Sequence, residues 1–77
     1  MKIKMSARTA KRILSQKSVS IFVEKASSYF VTEPGIRQDQ TVSVPHENIF
    51  VPLEDITRIA FRDRFDTLSE MEVDWSL

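Results

Sequence analysis

The sequence predicts a mainly β, α+β fold: a small five-stranded antiparallel barrel or curved sheet with one N-terminal helix. Three observations carry this. Short apolar runs alternate with polar residues at period two through most of the chain. Only Ala7 to Gln16 places its apolar residues at helical spacing. Residues 48 to 64, NIFVPLEDITRIAFRDR, form two apolar segments broken at Pro52. Proline cannot donate to a strand ladder, so Pro52 ends the first segment. Asp55 can bond nearby backbone groups and fix a tight helical turn before Ile56, Ile59 and Phe61 resume.

In chain order, Met1, Ile3 and Met5 alternate with Lys2 and Lys4, which is strand periodicity. Ser6 stands where a helix N-cap belongs. Ala7, Ala10, Ile13 and Leu14 follow on one helical face, with Arg8, Lys11, Arg12 and Ser15 on the other. Val19, Ile21 and Val23 predict a strand, and Phe22 on its second face predicts that this face is partly covered. Residues 25 to 28 make a tight connection into a second strand, Tyr29 to Thr32. Glu33-Pro34-Gly35-Ile36 is the strongest turn signal, with proline and glycine at the central positions of a type II turn. Thr41 to Val44 is a strand stopped by Pro45, and His46-Glu47-Asn48 turns into the next. Thr67 to Glu70 predicts a turn of helix. Met71, Val73, Trp75 and Leu77 then alternate with Glu72, Asp74 and Ser76 as a closing acidic strand.

One helix, five short strands and a tight turn between the last two resemble the element order of Sm-like small barrels. The segment Asn48-Ile49-Phe50-Val51 through Ile56-Thr57-Arg58-Ile59 is similar to the end of that fold, and SH3-like barrels share this ending. The likeness is one of topology, carried by apolar spacing. The glycines of bent Sm strands are absent from Val19 to Val31, and no RNA-binding residue is carried across. A β-sandwich needs more strands, and a helix-turn-helix needs a second helix.

A chain of 77 residues makes one small domain. Its parts are an N-terminal strand and helix at 1–17, a β core at 18–64 and an acidic C-terminal strand or tail at 65–77. Domains of this size bury only about 60% of their unfolded surface, so self-association is a reasonable way to complete the core. Cysteine is absent, which excludes disulfides and thiolate metal sites. The single glycine, Gly35, excludes a glycine-rich nucleotide loop. No apolar run approaches the roughly 20 residues of a membrane span, and the basic N-terminus lacks the apolar core of a signal peptide. A cytoplasmic protein with no cofactor, no metal and no membrane partner is expected.

Net charge is zero, but its distribution is uneven. Residues 1–25 carry seven lysines and arginines against one glutamate, and residues 26–77 carry four arginines against ten carboxylates. Lys2, Lys4, Arg8, Lys11 and Arg12 form the candidate nucleic-acid contact, with Lys17 nearby and Phe22 and Tyr29 as the aromatic candidates beside it. A solvated helix face is the plainer account, since a nucleic-acid domain is usually basic as a whole. Met71, Glu72, Val73, Asp74 and Trp75 form the candidate protein contact. They would either pair with Ile3 and Met5, laying acids opposite Lys2 and Lys4, or add to a partner's sheet edge.

Catalysis finds little support. His46 sits in a turn, and no spacing joins it to Ser43 or Ser69 as a nucleophile set. Glu54 and Asp55 read as turn and cap residues. Asp63, Asp66 and Glu70 read as solvated surface or, less simply, as a phosphate mimic. The expected function is therefore non-enzymatic: a small binding or regulatory module acting through protein contacts, with itself or another protein as partner. The alternative is a small-barrel nucleic-acid-binding protein using the basic helix face.

Overall fold

Alternation of apolar residues builds most of the elements where it predicts them. The computed structural model describes residues 3–17, 20–62, 65 and 67–77. In chain order these form strand β1 (Met5–Ser6), helix α1 (Ala7–Leu14), and strands β2 (Ile21–Lys25), β3 (Ser28–Val31), β4 (Thr41–Val44) and β5 (Ile49–Pro52). A 3-10 turn (Leu53–Asp55) then leads to strands β6 (Arg58–Arg62) and β7 (Leu68–Asp74). The fold is mainly β with one helix, as expected.

The expected barrel does not close among the described residues. Five strands make an open sheet in the order β1-β7-β6-β2-β3, and β4 pairs with β5 in a separate hairpin. Nor is the sheet wholly antiparallel: β1 runs parallel to β7, with Met5 opposite Val73 and Ser6 opposite Asp74. No hairpin joins these two strands, so no short connection imposes antiparallel pairing. The other pairs, β2 with β3, β2 with β6 and β6 with β7, are antiparallel.

The core lies between the sheet and the hairpin. Ile21, Val23 and Ile59 face inward from the sheet, Val42, Val44 and Val51 from the hairpin, and Leu53 and Ile56 from the 3-10 turn and its end. Ala10, Ile13 and Leu14 add the apolar face of α1. A backbone bond stitches the layers, Glu33 N–H after β3 donating to the Ser43 carbonyl of β4, and Leu53 N–H extends the hairpin ladder by donating to the Gln40 carbonyl, each at 3.0 Å.

Ser6 caps α1 as expected, its Oγ accepting from Thr9 N–H at 3.3 Å. The helix stops at Leu14, short of the expected Gln16, because Ser15 forms the C-cap and the Leu14 carbonyl accepts from Gly35 N–H at 2.8 Å. Gly35 holds φ +108°, so the Pro-Gly turn supplies the conformation that brings its amide to the helix end.

Other boundaries shift for local reasons. β2 starts at Ile21, and the expected Val19 lies outside the described residues. The N-terminal strand shrinks to Met5–Ser6, because Ser6 already begins the helix cap; Met1 and Lys2 lie outside the described residues. Thr67 to Glu70 is not helical: β7 begins at Leu68, opposite Arg62 of β6. β7 ends at Asp74 rather than Leu77, where the Asp74 carboxylate accepts from Ser76 N–H at 3.0 Å and turns the chain.

The β2–β3 hairpin turns on Ala26 (φ +51°) and Ser27 (φ +66°). Two-residue loops with positive φ at both positions favour Asn-Gly, because a Cβ is strained there. Replacing Ala26→Asn and Ser27→Gly together is expected to raise stability by about 1 kcal/mol. Urea unfolding checks this, and an unchanged midpoint would contradict it.

Candidate contact surfaces

The acidic C-terminal residues are built into the sheet. β7 lies between β6 and β1, so the strand has neighbours on both sides. Val73 and Trp75 are half-buried against the core, and the Trp75 indole N–H donates to the Ile56 carbonyl at 2.8 Å. Met71 keeps part of its surface exposed. Glu72 accepts from Arg58 at 3.1 Å and Glu70 accepts from the same guanidinium at 3.3 Å. Among the described residues Glu70 and Glu72 thus take Arg58 of the neighbouring strand, and not Lys4, as their ion-pair partner. Lys2 lies outside the described residues. Lys4 acts at longer range: it adds to the Ser76 hydrogen bonds that chiefly hold the Asp74 carboxyl below its ordinary range. Met5 is buried opposite Val73 as expected, while Ile3 stays largely exposed, in a shallow depression shared with Met71 and Glu72.

The basic face of α1 is exposed as its period requires. Arg8, Lys11 and Arg12 are exposed on the helix, whereas Lys4 stands apart from them beside Glu72, Val73 and Trp75. Among the described residues no carboxylate lies within ion-pair distance of these four cations. Phe22 and Tyr29 do not stand beside them. They belong to β2 and β3, on the sheet face turned away from the core, whereas α1 packs on the core side against β1 and β7.

That outer face is a second, mixed surface. The registers set Phe22 beside Val31 and Ala60, with Leu68 and Glu70 beyond. Phe22, Tyr29, Ala60, Arg62, Leu68 and Glu70 line a shallow depression there. The next row holds Tyr29, Glu24, Arg58 and Glu72. The Tyr29 hydroxyl reaches Glu70 at 3.4 Å. Desolvation, then the charges of Glu70 and Glu24, push the Tyr29 phenol above its ordinary value. Desolvation works against the Arg58 charge, but Glu24, Tyr29, Glu70 and Glu72 outweigh it and raise the guanidinium above its ordinary value.

The sheet's two ends differ. At one end β1 is two residues long, follows Lys4 and turns at once into α1. Short length and a nearby charge are devices that blunt an edge. At the other end β3, Ser28-Tyr29-Phe30-Val31, carries no charge and no proline. Thr32 N–H donates to the Ile21 carbonyl at 3.0 Å, which makes that opposing pair a hydrogen-bonded one. By the alternation of an antiparallel ladder, Phe30 and Ser28 also bond to β2, while the backbone groups of Tyr29 and Val31 point outward. Among the described residues nothing pairs with them. Ser27 starts the turn at one end of this edge, and Glu33, bonded to Ser43, closes the other. Tyr29 and Val31 are each about two-fifths exposed (43% and 42%). Sequence alone did not single out this edge, because periodicity shows which residues share a face and not which strand lacks a neighbour.

The remaining candidates gain little from the geometry. His46 lies exposed in the β4–β5 turn, and Ser43 and Ser69 sit on separate strands. Asp55 pairs with Lys25 at 3.9 Å, while Glu54 is exposed beside it on the 3-10 turn. Asp63 and Asp66 lie outside the described residues. Among the described residues no group of three His, Asp or Glu side chains converges to hold a metal, and no helix is long and apolar enough to cross a membrane. Arg37 stacks over the exposed Phe50 ring, 3.9 Å from its centroid, on the far side of the hairpin.

No family model, curated protein or solved structure matches this chain.

Proposed function

We propose that this chain is a non-enzymatic binding module that works through protein contacts, taking an extended partner strand along β3. The observation that carries the reading is the bare edge at Tyr29 and Val31, beside the exposed apolar residues Leu68 and half-buried Phe22. Addition of a strand to such an edge gives affinity through main-chain bonds and specificity through alternate side chains. The order of elements, with β2 pairing β6 and the 3-10 turn between β5 and β6, supports a further reading of the two layers as a small barrel of Sm or SH3-like topology opened at β3. The cytoplasm is the setting that a cysteine-free chain suits.

Selection from a displayed library of random peptides tests the protein-contact reading. The expected ligands alternate apolar and polar residues, bind the natural chain and are lost with Val31→Lys, which sets a charge on the edge. Failure to enrich any peptide, or ligands indifferent to Val31→Lys, would contradict it.

A second reading, nucleic-acid binding by α1, is favoured by one observation: Arg8, Lys11 and Arg12 have no carboxylate within ion-pair distance among the described residues, while Arg58 takes both Glu70 and Glu72. Titration of labelled single-stranded RNA and duplex DNA at low and near-physiological salt decides it. Salt-sensitive binding lost when Arg8, Lys11 and Arg12 become Glu would put this reading first. No binding at low salt would remove it.

A further inference from the structure

We propose that the extended partner on β3 is a second copy of this chain, paired antiparallel about a two-fold axis at Phe30. The proposal rests on the β3-edge reading above and names its occupant.

The edge is self-complementary in a specific way. Only Tyr29 and Val31 present outward backbone groups between the turn at Ser27 and the bond from Glu33 to Ser43. An isologous antiparallel pair requires residue i to face residue j and j to face i. Centring the axis on Phe30 sets Tyr29 opposite Val31 of the second copy and Val31 opposite its Tyr29. Each such pair exchanges both backbone bonds, so this register uses every free group on the edge. A slip of two residues in either direction pairs Tyr29 with Tyr29 or Val31 with Val31 and leaves the other residue without a partner of its kind.

The side chains agree with this register. Like charges opposed across an edge would oppose pairing, and β3 has none. On the outer face, the row Ala60, Phe22, Val31 of one copy would continue into Tyr29 of the other. An aromatic and a β-branched residue face each other across the axis, a favourable cross-strand combination. Among the described residues, the three other strands with a free side are each protected in a way that β3 is not: β1 is minimal and follows Lys4, the Thr41 and Ser43 carbonyls of β4 already accept from Arg37 and Glu33 N–H, and β5 ends in Pro52. A partner of other chemistry would need to bring its own match; a second copy brings it by symmetry. The contact is short, below the roughly 800 Å² per partner of a standard interface, so the dimer forms in the micromolar to millimolar range.

Sedimentation equilibrium from micromolar to millimolar protein is the first arm of the test. The natural chain is expected to pass from monomer to dimer, and Val31→Lys to stay monomeric. The second arm reads the register and uses the absence of native cysteine. Tyr29→Cys and Val31→Cys variants, mixed in equal amounts under oxidising conditions, are expected to give the mixed disulfide almost alone, well beyond the roughly 1:2:1 ratio that random pairing produces. Paired residues in a hydrogen-bonded position stand about 5.5 Å apart at Cα, within disulfide reach. Three results would overturn the proposal: a monomer at every concentration, a dimer unaffected by Val31→Lys, or homodimeric disulfides at or above their share in random pairing. A monomer that still binds library peptides through Val31 would remove the second copy while leaving the β3 edge as a binding site. A monomer that binds none would remove both.

Discussion

A chain lacking residues 70–77 is expected to show no cooperative unfolding transition. The loss removes most of β7, which lies between β6 and β1. β1 pairs with no other strand among the described residues, so the chain's first segment leaves the sheet as well. Half-buried Val73 and Trp75 leave the edge of the core, each at a fraction of the roughly 1.5–3 kcal/mol that full burial of a large apolar side chain contributes. The Ile56 carbonyl loses the indole donor, and Arg58 loses both of its glutamates. A domain of this length has roughly 4–12 kcal/mol of stability in total, so these losses together exceed or consume it. Thermal unfolding followed by circular dichroism checks the outcome. A sharp transition near that of the full chain would show that the strand is dispensable.

Ile59→Ala is the second large effect, with an expected loss of about 3 kcal/mol. Ile59 is wholly buried in the middle of the sheet, facing Val23 on β2 and Met71 on β7. Its removal leaves a cavity between strands bonded on both sides, which cannot easily close. The control is Gln38→Ala, at an exposed position in the loop before β4, expected to change stability by less than about 0.5 kcal/mol. Urea unfolding of both variants separates them. Equal midpoints would contradict the placement of Ile59 in the core.

The helix and most strands were legible because each has one apolar face and so one period. Ala10, Ile13 and Leu14 mark α1, and Val42 with Val44 marks β4 in the same way. Pro52 and Asp55 bracketed the 3-10 turn because one lacks a donor and the other suits a turn. The acidic final strand was also readable, since Val73 and Trp75 alternate with Glu72 and Asp74. Its start was not. Leu68 and Ser69 have no marked period of their own and join β7 through their register with Arg62 and Phe61. The parallel pairing of Met5 with Val73 was hidden for a different reason: alternation sets which side chains point inward, whereas direction depends on the path of the chain between strands.

The site shows the same division. Charge counting located a basic head and an acidic tail, but not that Arg58 supplies the acids' ion-pair contacts. A lone arginine within a strand carries no pattern, and only the register brings it opposite Glu72. The bare edge of β3 follows from the order of five strands, which no local stretch encodes.

Residue-resolved amide hydrogen exchange on the dilute protein tests the central claim, that β3 is an open edge. The amides of Ser28 and Phe30 are predicted to exchange slowly with those of Met71 and Val73, because each is bonded within the sheet. Those of Tyr29 and Val31 are predicted to exchange at the rate of exposed loops, giving an alternating pattern along β3. Slow exchange at Tyr29 and Val31 in the dilute monomer would mean that the chain already covers this edge itself, and both the binding strand and its second copy would have to be sought elsewhere.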